Sequence, residues 1–206
     1  MKNRSTMLMI LLMGALWGIA EATLGYVLHF LPHGMSGMFM FPIGMYFMVN
    51  AYRKSNKTGA VLWVAMIAAS IKLIDMALPT RSPMSVINPA TSILLEGLVV
   101  FAFVHAYKGR KVVLSACLVG LSWIVVFTLT QALVFKPEVG LYNLPLAQFV
   151  LFIAANAVVS AVLVGFYLKN EKALEWKVNS EKISLAIPVL ALVLALSLEI
   201  TNSLIF

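Results

Sequence analysis

Met7–Leu31 reads MLMILLMGALWGIAEATLGYVLHFL, an apolar run whose one formal charge is Glu21. At a rise of about 1.5 Å per residue, roughly 20 such residues cross the hydrocarbon of a bilayer as a helix. Working outward, six further apolar runs follow: Met38–Ala51, Ala60–Leu78, Ala90–Tyr107, Val112–Phe135, Leu146–Leu168 and Ile183–Ile205. The chain of 206 residues is 62% hydrophobic and only 11% charged. Its mean hydropathy is +0.96. These values exclude an ordinary soluble domain and predict an all-α, polytopic membrane bundle of about seven helices. The longest polar stretch, Lys169–Lys182, leaves no room for a soluble unit, so residues 1–206 read as one integral-membrane domain. Within it we expect a six-helix core over about 7–168 and an additional helix over about 183–205. Met38–Ala51 is short for a span, which predicts a tilted, thinned or partly re-entrant segment.

The start of the chain imitates a signal peptide, with Lys2 and Arg4 ahead of an apolar run. That run extends too far for one, and it reads as a retained span. The formal charge of +7 invites a nucleic-acid partner, but its distribution rejects one. Lys2 and Arg4, then Arg53, Lys54 and Lys57, then Lys108, Arg110 and Lys111, and finally Lys169, Lys172, Lys177 and Lys182 occupy alternate loops. The intervening loops carry only Arg81 and Lys136. Basic loops stay in the cytoplasm, so the N-terminus is expected inside, the C-terminus outside, and the chain in the cell membrane.

Against that background Glu21, Lys72, Asp75 and Glu96 stand out. A charge at the bilayer centre costs roughly 2.5–3.5 kcal/mol even on the lenient insertion scale. Counting from the inner ends of their spans puts Glu21 roughly 21 Å along, Lys72 about 18 Å and Asp75 about 22 Å. Asn88-Pro89 reads as an N-cap with proline at the first helical position, which leaves Glu96 about 10 Å below the outer surface. All four then share the outward half of the membrane, as expected of a polar site reached from outside.

Helical spacing sharpens this. Asn88, Ser92 and Glu96 recur every four residues as one polar stripe, and Gln148, Asn156 and Ser160 form a weaker one broken by Phe152. Such stripes turn away from lipid toward protein or a cavity. Gly14, Gly18, Ala22 and Gly25 give span one a small-residue face, with Glu21 beside it, where another helix packs closely. Two readings stay open for Lys72 and Asp75, three apart on one helix: mutual neutralisation or ligand contact. Glu21 is either a ligand group or a carboxyl satisfying a neighbouring helix. Glu199, near the end of the last span beside Asn202 and Ser203, reads as a solvated helix end.

The remaining motifs are weak. His29 and His33 straddle Pro32, which spoils metal-binding geometry, so they read as interfacial histidines capping a helix end. Gly34-Met35-Ser36-Gly37 matches the G-x-S-G of intramembrane serine proteases, but the later histidine, His105, falls at the opposite face, and the motif is rejected. His33–Phe41 reads instead as an apolar lid, and Pro79–Pro89 as a second piece of rim. Cys117 is the only cysteine. No phosphate loop, zincin motif or haem-attachment signature is present, and no metal or cofactor is expected.

Several of these features resemble the substrate-binding (S) components of energy-coupling factor transporters. They are the compact size, the inside N-terminus, the small-residue face Gly14/Ala15/Gly18/Ile19/Ala22, the loop between spans one and two, and residues 87–97, INPATSILLEG. The resemblance covers roughly Met7–Leu168 and departs from the family in its seventh span. It implies uptake of a small organic nutrient such as a vitamin or its precursor, held near the outer surface. It also implies a transmembrane coupling subunit and two cytoplasmic ATPases as partners. Carried over, Gly14 and Gly18 contact the coupling subunit, while Glu96 and Asp75 hold substrate. From the residues themselves, Glu21, Lys72, Asn88, Ser92 and Asn156 join the candidate site, whose negative balance favours a cationic or amine-bearing ligand. Two other classes stay open: a membrane enzyme using Glu21, Asp75 or Glu96 as acid and base on a lipid-linked substrate, and a non-catalytic accessory protein.

Overall fold

The computed structural model describes residues 2–28, 30–31, 34–78, 82–106, 111–136, 144–177 and 183–205. The first apolar run forms α1 (Lys2–Ala20), which continues through a π-type turn, Glu21–Gly25, into a final turn, Tyr26–Leu28. There follow α2 (Gly37–Ser55), α3 (Gly59–Leu73) with a tightened last turn at Ile74–Ala77, and α4 (Pro83–Ala106). The chain continues with α5 (Val112–Thr130), which ends in a second π-type turn at Gln131–Phe135, then α6 (Leu146–Lys169) and α7 (Ala186–Ile205). Among the described residues these seven helices make an all-helical bundle. Six of them are long and apolar enough to cross a membrane. Their outward faces carry exposed apolar side chains such as Leu118, Leu129, Val158, Val162, Leu190 and Val193. A water-facing surface of that kind would aggregate, whereas lipid solvates it. The chain is a multi-pass membrane protein.

The helix that does not meet the apolar criterion is α2, and it is the central one. It runs unbroken for 19 residues, about 28 Å, so it is neither short nor re-entrant. It packs against α1, α3, α4 and α6. Met38, Met40, Phe41, Met45, Met48 and Asn50 are all buried along it. Hydropathy gauges a helix against lipid. A helix ringed by protein is released from that demand and tolerates Pro42, Gly44 and Asn50.

Two of those residues are answered by neighbours. Pro42 has no N–H to give the carbonyl of Met38 one turn back, and a buried carbonyl without a donor is costly. The Ser160 hydroxyl, reaching across from α6, donates to that carbonyl at 3.3 Å. Asn50 is 0% exposed; its Nδ2 donates to Tyr46 O at 2.8 Å, and its Oδ1 accepts the Trp176 backbone N–H at 2.8 Å. Arg53 pairs with Glu171, and Lys54 Nζ lies 2.8 Å from Glu175 Oε1. Residues 171–176 therefore strap the C-terminal end of α2. The Lys54 hydrogen bond and charge hold the exposed Glu175 carboxyl below its usual range.

Two expectations change. The helix α4 starts at Pro83, not after Asn88. Ser82-Pro83 supplies the same start signal earlier in the chain, with the Ser85 N–H donating to Ser82 Oγ at 3.3 Å. Glu96 is consequently about 20 Å along its helix rather than 10 Å. Gly37–Phe41, taken as part of a lid, is the first turn of α2, and Met38, Met40 and Phe41 are buried in the bundle. The helix α7 lies along α1 and also touches α3. It completes the expected seven-helix bundle.

Candidate functional site

The charged end of the bundle, with Arg53, Lys54, Lys57, Lys111 and Lys169, is opposite the end that holds the candidate site. There a cavity of about 250 Å³ lies over the N-terminal end of α2. Glu21, Asn88, Ser92, Glu96 and Asn156 line it, together with Ser36, Gly37, Trp123 and Phe127. Five helices thus meet at one point: α1, α2, α4, α5 and α6. Among the described lining residues none is Lys, Arg or His. Two carboxylates give the cavity a charge of −2 when both are ionised.

Each side chain is aimed by a local device. On α1 the π-type turn shifts the helical register at Glu21, a distortion common at functional sites. Glu21 Oε1 accepts the indole N–H of Trp17 one turn back, at 3.2 Å. Gly25 leaves room beside it, since a β-carbon there would stand 3.0 Å from Glu21 Oε2. Glu96 is 2% exposed and passes over Gly44, where a β-carbon would stand 2.9 Å from its Oε2. Ser92 turns its hydroxyl back onto Asn88 O at 3.0 Å, and Asn88 Oδ1 accepts from Gln131 Nε2. Asn156 is spent on one side only, its Nδ2 donating to Phe152 O at 3.0 Å. The Trp123 ring is stacked on Phe41 with centroids 5.3 Å apart and planes 8° from parallel.

Among the described residues, three buried polar atoms at this cavity have no hydrogen-bond partner: Glu96 Oε2, Asn156 Oδ1 and Trp123 Nε1. Such atoms are rare because each costs about 1–3 kcal/mol when left unmade. Two are acceptors and one is a donor. A ligand that satisfies them presents two N–H or O–H donors and one acceptor beside a flat aromatic shelf. A larger groove, about 460 Å³, lies between α4 and α5. Its lining is apolar apart from Ser115 and Ser122, so it offers lipid contact and no comparable chemistry.

The other expected site residues are elsewhere. Lys72 and Asp75 do not line the cavity. Lys72 Nζ lies 3.7 Å from Asp75 Oδ2 and pairs with Glu199. Glu199 is 2% exposed, which overturns its reading as a solvated helix end: α7 turns it inward onto α3. Gly14 and Gly18 are buried as well. A β-carbon on Gly14 would meet Ile67 Cβ at 2.6 Å, and one on Gly18 would meet Ile71 Cδ1 at 2.5 Å. That small-residue face is filled by α3 of the same chain. In the second stripe Asn156 and Ser160 are buried while Gln148 is exposed, and Phe152 takes the intervening buried position. Ser36 is at the cavity and His105 in the last turn of α4, at the opposite end, beside Phe101. His29, His33 and Arg81 lie outside the described residues.

Sequence reasoning missed Trp17, Trp123, Phe127 and Gln131. Tryptophans and phenylalanines are ordinary in apolar spans, so their identities carried no signal. Gln131 did carry one, as a lone amide inside an otherwise apolar run. Fold and site together define a multi-pass helical membrane protein enclosing a small acidic cavity. No family model, curated protein or solved structure matches this chain.

Proposed function

We propose that this chain is the membrane-embedded substrate-binding subunit of an uptake system for a small organic nutrient, cationic or amine-bearing. A partner ATPase module energises it through a transmembrane coupling subunit, as the resemblance to S components implies. The basic loops support a cytoplasmic N-terminus and a C-terminus outside the cell membrane, an orientation in which the cavity faces outward. The observation that carries this reading is the cavity itself: Glu21 and Glu96 converge on it, no cation lines it among the described residues, and Glu96 Oε2 is unpartnered. A buried carboxylate without a counter-charge is stabilised by a cation arriving as ligand. At about 250 Å³ the cavity is smaller than the roughly 300–1,000 Å³ typical of drug-sized ligands. A compact metabolite fits that size.

Capture proceeds from outside, with the ammonium or amine placed between the carboxylates and a planar part of the ligand against Trp123. Gly34 and Ser36, ahead of α2, form part of the rim together with Gly37. The first test is native mass spectrometry of the gently extracted protein from its own membrane. A bound small amine together with coupling and ATPase subunits supports the reading. A solitary chain carrying only phospholipid sinks it and moves the lipid-enzyme and accessory readings ahead. A Glu96→Gln variant, shown to be folded, that keeps wild-type binding of the co-purified molecule would falsify the assignment of the site.

A further inference from the structure

The groove between α4 and α5 starts at the basic end of the bundle, away from the ligand cavity. Its α4 wall runs from Leu98 to Ala106 and its α5 wall from Ser115 to Val126. At the helical rise those walls are about 12 and 16 Å long. One leaflet of a bilayer, half of a hydrocarbon core of about 30 Å, has the same depth. Ala106 is the last residue of α4, and Ser115 is one turn inside α5, its N–H donating to Lys111 O at 3.0 Å. The groove therefore begins where the helices leave the membrane and ends near its middle. It opens sideways, with Leu98 54% and Leu118 50% exposed.

Its width selects the occupant. Spread over about 15 Å of length, a volume of about 460 Å³ leaves a mean cross-section of about 30 Å². A helix with its side chains is about 10–12 Å across, or about 80–110 Å² in section, and does not enter. An extended hydrocarbon chain does. Lipid tails are as apolar as leucine, so this groove gains little by exchanging one tail for another. The headgroup then decides which lipid stays. At the mouth the exposed Lys111 caps α5 and the exposed His105 stands in the last turn of α4. In sequence, residues 107–111 carry three basic residues and no acidic one. The helix α5 has no carboxylate at all, and the one on α4, Glu96, is at the other cavity. We propose that this groove binds one anionic phospholipid, with an acyl chain lying between α4 and α5 and the headgroup phosphate held by Lys111. Basic side chains at a membrane surface attract anionic lipid in this way. At their other ends the same two helices are joined by Gln131 and Asn88, so the lipid fills the place where they part. This inference does not depend on what the cavity binds.

The test is native mass spectrometry of the full chain in micelles holding equal amounts of dioleoyl phosphatidylglycerol and dioleoyl phosphatidylcholine, whose tails are identical. The expected result is one retained lipid per chain with phosphatidylglycerol preferred. In Lys111→Gln that preference is expected to fall about fivefold, the discrimination of one basic side chain. Ala102→Phe fills the groove from an exposed position on α4 and is expected to lose the retained lipid, whereas Val158→Phe, on the exposed face of α6, keeps it. Equal retention of the two lipids by the unsubstituted chain overturns the proposal. So does a preference unchanged in Lys111→Gln, or wild-type retention in Ala102→Phe. The unsubstituted chain gives a second readout. Its melting temperature is expected to rise more with phosphatidylglycerol than with phosphatidylcholine and to stay still with glycerol 3-phosphate. An equal rise with glycerol 3-phosphate makes the occupant a free anion and overturns the proposal, as does a dimer that forms when the lipid is stripped and excludes it on return.

Discussion

Gly44→Ala tests the geometry under the cavity most directly. Gly44 lies on α2 where α1 and α4 close over it. An added β-carbon would stand 2.5 Å from Trp17 Cζ2, 2.7 Å from Trp17 Cε2 and 2.9 Å from Glu96 Oε2. Trp17 is 0% exposed and its indole nitrogen is tied to Glu21, so the ring has nowhere to swing without breaking that bond. Overpacking of this sort costs about 1–3 kcal/mol. Alanine's better helix propensity offsets about 0.8–1 kcal/mol of it. Gly165→Ala is the matched control, because it is also mid-helix but its nearest obstacle, Ala116 Cβ, is an ordinary contact at 3.5 Å. Propensity cancels between the two variants, and the difference isolates the steric cost, about 1–3 kcal/mol. Reversible unfolding in mixed lipid–detergent micelles measures it. If Gly44→Ala unfolds at the same point as Gly165→Ala, the Trp17–Gly44–Glu96 contact does not exist, and the placement of the Glu96 carboxylate fails with it.

Three further outcomes are expected. Ser160→Ala removes the donor that answers Pro42 and leaves Met38 O orphaned, costing about 1–3 kcal/mol in the same unfolding assay; adding Pro42→Ala restores an N–H for that carbonyl and recovers part of the loss. The strap at residues 171–176 is expected to loosen in acid: Lys54 lowers the Glu175 carboxyl in the folded state, so its contribution is present above the unfolded carboxyl range and is lost as pH falls through the folded value. Hydrogen exchange of residues 170–177 reads this, and protection that is flat from neutral to acidic pH contradicts it. For the co-purified ligand, Glu96→Gln is expected to weaken binding by about 1.5–3 kcal/mol, a charge-assisted hydrogen bond, or roughly 10- to 150-fold in Kd. Glu21→Gln is expected to weaken it less, because Trp17 already occupies one of its oxygens; calorimetric titration separates the two.

The fold class was legible because lipid imposes one rule on every exposed residue, and runs such as Val112–Phe135 obey it. What escaped was everything set by protein–protein contact inside the bundle. The central helix α2 looked too short as Met38–Ala51 because its ends, Gly37 and Tyr52–Ser55, fall outside that apolar run although they are helical. The start of α4 was misplaced because two serine- or asparagine-proline pairs, Ser82-Pro83 and Asn88-Pro89, give the same signal, and spacing does not choose between them. In the site, the four-residue period of Asn88, Ser92 and Glu96 was readable, since a helix turns identical offsets onto one face. Which neighbours complete the cavity was readable only in part: Asn156 stood out as a polar residue in an apolar span, whereas Trp123 and Phe127 reach the cavity through the packing of α5.

That packing also separates charges which depth alone had grouped. Arithmetic along each helix put Glu21, Lys72, Asp75 and Glu96 at one level and treated them as one site. Rotation about the helix axes decides otherwise. The residues of α3 turn Lys72 and Asp75 toward α7, where Glu199 meets them, while Glu96 turns toward α2 and the cavity. The two assemblies then differ in what they lack. Around Lys72 the ammonium already answers carboxyls from both sides of the contact, Asp75 at the end of α3 and Glu199 on α7. Around Glu96 the unpartnered atoms are spread over three helices, Glu96 on α4, Trp123 on α5 and Asn156 on α6, and they border about 250 Å³ of space. Those unpartnered atoms are the reason the proposed ligand is assigned to the cavity and not to the ion cluster.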